Sequence, residues 1–416
     1  MKTASAALAF GLAFTATAAR AQTDHTSLAG EAVHTTVLGL KIDVPERDRR
    51  KMTVLNVGAV TVFHGPEDAS FNLLGGLYLW REGNGARLRA VISGLVNTVR
   101  YDRAFGTNGF GAVLTLDTST LLDERSEYVE GVRLSEEELN TYRVWAGLGV
   151  GYRRRIAPGN TENTLEASLT YEPGYLAFRR GDATSPAFVR PRNTYEGRLH
   201  LRFRADALQR NILELPLSGY AFGSDLVFGR RARWHDWGGP VTGPQDGGAG
   251  RSFTAVSFYG VGAAELGDRR LRLVGDLHCG GGSDLDRFSA FRLGGGAWYG
   301  ETETLSFLVL PGAGADEIDS RRYLLAGAEL RYEALFFLFL HLKGTLAWAD
   351  RLRFEDGAVA TRRDPMHAVT VGLSTGLPWK LSLKLGFSRN FGLYRERDGR
   401  RVKGSSGLVV SINRLL

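Results

Sequence analysis

The feature that most constrains this chain is an apolar–polar alternation with a period of two, sustained over unusually long runs. In Trp379-Lys380-Leu381-Ser382-Leu383-Lys384-Leu385-Gly386-Phe387-Ser388 the odd positions are apolar and the even ones polar or small. Tyr195, Gly197, Leu199, Leu201 and Phe203 share one face, and Glu196, Arg198, His200, Arg202 and Arg204 share the other. Successive side chains of a strand point to opposite sides, so each run presents one greasy and one hydrophilic face. Soluble strands are mostly about five or six residues, whereas a tilted strand crossing a bilayer needs about 9–11. The runs here cover roughly 52–63, 69–81, 86–102, 107–119, 141–156, 163–179, 193–206, 217–229, 251–266, 269–281, 286–298, 321–333, 335–350, 366–377, 379–391 and 405–415. That is about sixteen, an even number, as a closed bacterial barrel requires.

Helical alternatives fail. The longest apolar stretch after the N-terminus, Ala334 to Leu340, is interrupted by His341 and Lys343, far short of the about 18 uncharged residues that a helical span needs. Glycine supplies 53 of 416 residues, and each weakens a helix interior by roughly 1 kcal/mol relative to Ala. The single cysteine, Cys279, excludes a disulfide within the chain and any Cys-based zinc or iron–sulfur centre.

Met1-Lys2 followed by an apolar run from Ala6 to Ala18 and then Ala19-Arg20-Ala21 reads as a secretory signal peptide cleaved before Gln22. An exported chain without spanning helices then divides into a signal peptide (1–21), a short periplasmic leader (22–51) and one domain (52–416). The fold class is all-β: a single transmembrane antiparallel β-barrel in the outer membrane, in contact with its lipid. Tight turns are expected at 81–85, 267–268 and 376–378, and long extracellular loops at 123–141, 230–250, 300–320 and 352–366. Leu134 to Asn140 could form one helical turn. Trp80, Tyr101, Tyr142, Trp348 and Trp379 near strand ends fit interfacial aromatic girdles.

Motifs that carry chemistry are scarce. Gly372-Leu373-Ser374-Thr375-Gly376 matches the nucleophile elbow G-x-S-x-G, but it ends an alternating strand with no helix after it. The eight histidines show no HExxH or H-x-H pairing. No catalytic residue, metal or cofactor is therefore expected. The informative feature is a basic interior: alternation places Arg143, Arg153, Arg198, His200, Arg202, Arg204, Arg272, Lys343, Lys380, Lys384 and Arg389 on the polar face. Such a face must see water or counter-charge. It would favour anions, form a ladder of structural ion pairs, or receive an acidic loop carrying Glu301, Glu303, Asp316, Glu317 and Asp319. Because these cations alternate into a lumen and do not cluster on an exposed face, nucleic acid is not an expected partner.

Two resemblances add to this reading. Ser405 to Ile412 resembles the C-terminal recognition strand by which outer-membrane barrels are delivered for assembly, without the usual terminal aromatic. Residues 210–416 resemble the bacterial surface antigen family, whose barrel is shared by BamA-type assembly factors and two-partner-secretion transporters. Arg287-Phe288 through Phe291-Arg292-Leu293-Gly294-Gly295-Gly296 looks like the approach to that family's long sixth loop. Tyr323 to Arg331, with Glu329 and Arg331, looks like the strand after it, and Trp348-Ala349-Asp350 like the aromatic-x-Asp of the next. His367 to Asn390 and Gly407 to Asn413 resemble the final strands.

The resemblance implies a loop-gated lumen in which Glu329, Arg331 and Asp350 anchor the long loop, and a separate periplasmic or secreted protein as partner. The chain departs from the family pattern at Ala297-Trp298-Tyr299-Gly300-Glu301, which has no Arg-Gly-aromatic tip. Residues 22–51 are too few for a periplasmic POTRA domain, and strict alternation points Trp348 and Asp350 toward lipid. A passive, anion-leaning channel or structural barrel is the alternative function.

Overall fold

The computed structural model describes residues 25–415 apart from 38, 64–70, 94–95, 126, 296–304, 315, 356–357 and 398–399. The expected signal peptide, Glu301, Glu303 and the segment 297–301 lie outside them. Sixteen antiparallel strands form the wall among the described residues: β1 (Lys51–Phe63), β2 (Phe71–Gly83), β3 (Ala86–Ile92), β4 (Val96–Ala104), β5 (Phe110–Arg125), β6 (Leu139–Arg155), β7 (Thr164–Arg180) and β8 (Thr194–Asp206), followed by β9 (Pro216–Arg231), β10 (Ser252–Leu266), β11 (Asp268–Ser283), β12 (Arg322–Leu335), β13 (Leu338–Glu355), β14 (Ala358–Leu377), β15 (Leu381–Arg397) and β16 (Arg400–Leu415). Each pairs with the next, and β16 returns to β1 in the register Ser406↔Phe63 to Leu415↔Val54. Closure removes the sheet edges that hydrocarbon cannot satisfy. Asn56 secures the seam, its Nδ2 donating to Ser411 Oγ (2.8 Å) and Asn413 Oδ1 (2.5 Å).

The period-two faces sort as alternation demands. Leu148, Tyr195, Leu199, Leu201, Leu342, Val371 and Phe387 are exposed on the outside, while Glu166, Ser168, Thr170 and Glu172 are buried on the inside. An apolar exterior around a polar interior is the arrangement of a barrel in lipid. The longest connections, 181–193, 232–251 and 284–321, all lie at one end, which sets it as extracellular and the other as periplasmic.

The strand count survives through two offsetting corrections. Residues 86–102 form two strands, because Ser93 closes a hairpin at Val96: its amide and hydroxyl both donate to the Val96 carbonyl. The described residues of 286–298 form no wall strand. Phe291–Leu293 pairs with Ile318–Ser320 inside the long β11–β12 connection, and Gly294 bridges Val309. The predicted loop at 352–366 is instead ladder: β13 and β14 run on to Glu355 and from Ala358, held by cross-strand pairs of Arg353 with Asp364 and of Arg362 Nη2 with Glu355 (2.6 Å). Its polarity reads as a loop, but the cross-strand ion pairs satisfy those charges within the ladder. The helical turn expected near 134–140 is a 3-10 turn at Ser135–Glu137.

Candidate functional site in the barrel lumen

Most of the lumen charges sit in ion pairs. Arg87 lies against Glu166 and Asp102 (3.0 Å), and Arg89 reaches Glu166 (3.2 Å). His200 bridges Glu172 (3.2 Å) and Asp225 (2.9 Å), and Arg204 donates to Asp225 (2.5 Å). Lys343 meets Asp276 at 2.6 Å, and Arg272 lies 3.9 Å from Glu333. Arg198 donates to Glu196 (2.6 Å) and sits over the Trp145 ring at 3.6 Å. Lys384, opposite buried Ser411 and Ser374, faces inward, as does Arg202, opposite Ser168.

Two of the expected lumen cations belong elsewhere. Lys380 occupies the periplasmic β14–β15 turn with φ +60 and is exposed, because the turn takes positions 378–380 out of the ladder. Arg389 falls opposite lipid-facing Val369, on the outer surface. Trp80 is corrected the other way: it is buried in the lumen with Tyr78 and Met52 and does not form part of a girdle.

The β11–β12 connection, 284–321, enters the barrel. Its Leu293, Leu310, Ala313 and Ile318 pack on Tyr323, Leu325, Ala347, Ala349, Met366 and Leu393, the inner faces of β12 to β15. Ala347 and Ala349 leave the room that larger residues would fill. Leu305 packs farther down, against Leu208, Ala221, Tyr259, Val261, Ala263 and Val274 near the periplasmic end. A polar clasp holds the inner part of the connection. Arg395 of β15 donates to Glu317 through Nε (2.9 Å) and Nη2 (2.5 Å), both side chains being 5% exposed or less. Beside it, Asn390 Nδ2 donates to the Pro311 carbonyl (2.9 Å) and Ser405 Oγ to the Gly312 carbonyl (2.6 Å). Gly312 has φ +81, and a Cβ there would come within 2.9 Å of Asn390, so glycine is required twice over.

The anticipated anchors are placed differently from one another. Glu329 accepts from Arg331 Nε (2.8 Å) and lies 2.8 Å from His341 Nδ1, while Arg331 also donates to the Pro216 carbonyl. Both face the lumen and bond to wall residues. Asp350 lies on the outward parity with Trp348, since Ala347, Ala349 and Arg351 are the buried inward set. Its carboxylate is 3.5 Å from Arg363, and only its amide touches the long connection, donating to Ser320 Oγ (2.9 Å). Asp319 pairs with Arg292 inside the connection (3.0 Å). The partners missed from sequence are Arg395, Asn390 and Gly312. The small triplet Gly312-Ala313-Gly314 is the one signal that could have marked a close approach to the wall. Ser374 of the elbow-like motif is buried mid-strand opposite Lys384.

Both mouths are overlaid. Outside, Phe178, Phe188, Trp234, Trp237 and Phe288 form an apolar cap with Leu139, Trp145 and Leu176. Arg231, fully buried, donates to Glu196 (2.8 Å), Asp286 (2.5 Å) and the Gly250 carbonyl (2.9 Å). The Glu137 carboxylate accepts from the amides of Val241 and Thr242, and Val129 crosses the mouth to bridge Leu352 of β13. Burial pushes the Glu127 carboxyl up, with Arg287 opposing the rise.

On the periplasmic side, residues 25–50 form a strap. Thr26 N donates to Glu333 (2.6 Å), Ala29 N to the Arg210 carbonyl (2.9 Å), and Arg49 to Glu214 (2.5 Å) and Glu162 (3.1 Å). Burial alone would raise the Glu214 carboxyl, but Arg49 and Arg47 outweigh it and hold it at about 2.

No family model and no curated protein matches the chain. Among solved structures it is similar to BamA from Haemophilus ducreyi lacking POTRA domains 1–3, at 11% identity over 96% of this chain and 78% of that one, with a TM-score of 0.49. It is also similar to CdiB from Acinetobacter baumannii, at 10% identity over 94% of this chain and 66% of that one, with a TM-score of 0.49. A third is the Pseudomonas putida toluene transporter TodX, at 13% identity over 88% of this chain and 90% of that one, with a TM-score of 0.32. With an apolar outer wall, a closed ring and a charged interior, the chain is an outer-membrane β-barrel.

Proposed function

We propose that this protein is a loop-gated barrel that takes part in assembling or translocating macromolecules at the outer membrane, working with a separate periplasmic or secreted protein. The observation that carries the reading is the Glu317–Arg395 clasp with Gly312 seated on Asn390 and Ser405. It holds a long connection inside the lumen beside the strands that close the ring. A buried charge pair of this kind suits a two-position element, because either position must satisfy both charges. Against a passive anion-leaning channel stand the carboxylates that face the lumen cations, which leave little surplus charge along the central wall. Glu329 and Arg331 serve in this reading as wall-side positioning residues beneath the connection.

Two measurements test it. Deleting 301–319 raises single-channel conductance in planar bilayers relative to the full chain; unchanged conductance refutes the gate. A strain lacking the protein loses particular outer-membrane or secreted proteins from its profile, and an unaltered profile refutes the assembly or translocation role.

A further inference from the structure

A cleft of about 200 Å³ opens at the periplasmic end of the wall, where β3 to β7 meet the β4–β5 turn. Four arginines line it (Arg87, Arg100, Arg103 and Arg153) against only two carboxylates, Asp102 and Glu166. Both carboxylates are already engaged. Asp102 accepts from Arg87 and Arg100 at 3.0 Å each, and Glu166 lies between Arg87 and Arg89. Arg153 stands directly across the ladder from Glu166, yet neither it nor Arg103 forms an ion pair among the described residues. Arg153 Nη1 is buried and has no hydrogen-bond partner.

Gly106, Gly109, Gly111 and Gly151 line the cleft; a Cβ on Gly109, Gly111 or Gly151 would run into Arg153 O, Arg103 O and Val113 respectively, so the backbone packs closely there, whereas one on Gly106 at the exposed rim would meet nothing within 4 Å. The inward guanidinium of Arg153, with a buried and unbonded Nη1 beside carboxylates already engaged, calls for an anion. Planar guanidinium forks fit the oxygens of a phosphate better than a spherical ion.

We infer that this cleft binds a phosphate group, with Arg153 supplying the uncommitted charge, Arg100 the flank and exposed Arg103 the rim. The site is separate from the loop clasp and does not depend on the gating role. The phosphate could be carried by a phospholipid headgroup of the inner leaflet or by a soluble phosphate.

The test uses the full chain in detergent and in nanodiscs, with Arg153→Gln, and with Gly106→Leu as a variant that fills the cleft while leaving every arginine in place. Inorganic phosphate is titrated by calorimetry, and co-purifying phosphatidylglycerol is counted by native mass spectrometry. Phosphate binding weakened at least tenfold in both variants supports the site with a soluble source. No phosphate binding, but lipid retention lost at least tenfold in both, supports it with a headgroup source. Binding of neither, or binding unchanged by Gly106→Leu, overturns the proposal.

Discussion

Replacing Glu317 by Ala should open the lumen, and the size of the effect can be worked from the clasp. The substitution removes both bonds that Arg395 makes to carboxylate oxygens and the one that Gly314 N makes to Glu317 Oε2 (2.7 Å). Arg395, 4% exposed, keeps the Gly312 carbonyl at 3.3 Å. Breaking one side of a buried pair costs about 3–5 kcal/mol, because the remaining charge stays desolvated. At about 1.4 kcal/mol per tenfold, even the lower figure shifts the balance between seated and released connection by roughly 100-fold. Planar-bilayer recording of the purified variant should show frequent large openings where the parent shows few. The double variant Glu317→Gln with Arg395→Met removes both charges together and should close most of that gap. A Glu317→Ala barrel that conducts within twofold of the parent would refute the reasoning, since the clasp would then contribute nothing to seating.

Three further outcomes are expected. Arg231→Met leaves Glu196 with Arg198 alone and Asp286 without its cation beneath the extracellular cap, so the heat-induced unfolding of the barrel on gels should come at a lower temperature, by a loss of about 3 kcal/mol. Glu214 has its folded carboxyl held below its ordinary value, so its contribution is full above about pH 4.5 and disappears as pH falls toward about 2. Hydrogen exchange of residues 25–50 should accordingly stay protected at pH 5 and rise across that acid window. Asp350→Asn, which touches only a half-exposed Arg363 on the outer rim, should change stability by less than about 1 kcal/mol and leave conductance unaltered.

Strand character was legible because lipid on one side and a wet lumen on the other impose a strict period of two. The same rule correctly pointed Trp348 and Asp350 outward. It failed where apolar residues were buried by something other than lipid. Phe288, Phe291 and Leu293 mimic a strand, but the first packs in the extracellular cap and the others inside the lumen. It failed again where ion pairs between neighbouring strands, as at Arg353–Asp364, extend a ladder through sequence that looks solvated. The charged lumen face was readable, but its pairing was not, since Arg204 and Asp225 or Lys343 and Asp276 are matched only once the strands are in register. Arg395 was invisible for the same reason: its partner lies on a connection 78 residues upstream.

The hydrogen-bonded ring is joined between Val54–Phe63 and Ser406–Leu415, segments far apart in the polypeptide. The first cannot find its mate until the second has been made, so every earlier species carries two raw margins that acyl chains cannot satisfy. Losing Ser406–Leu415 would therefore do more than shorten one stave; it would leave the whole cylinder unhooped.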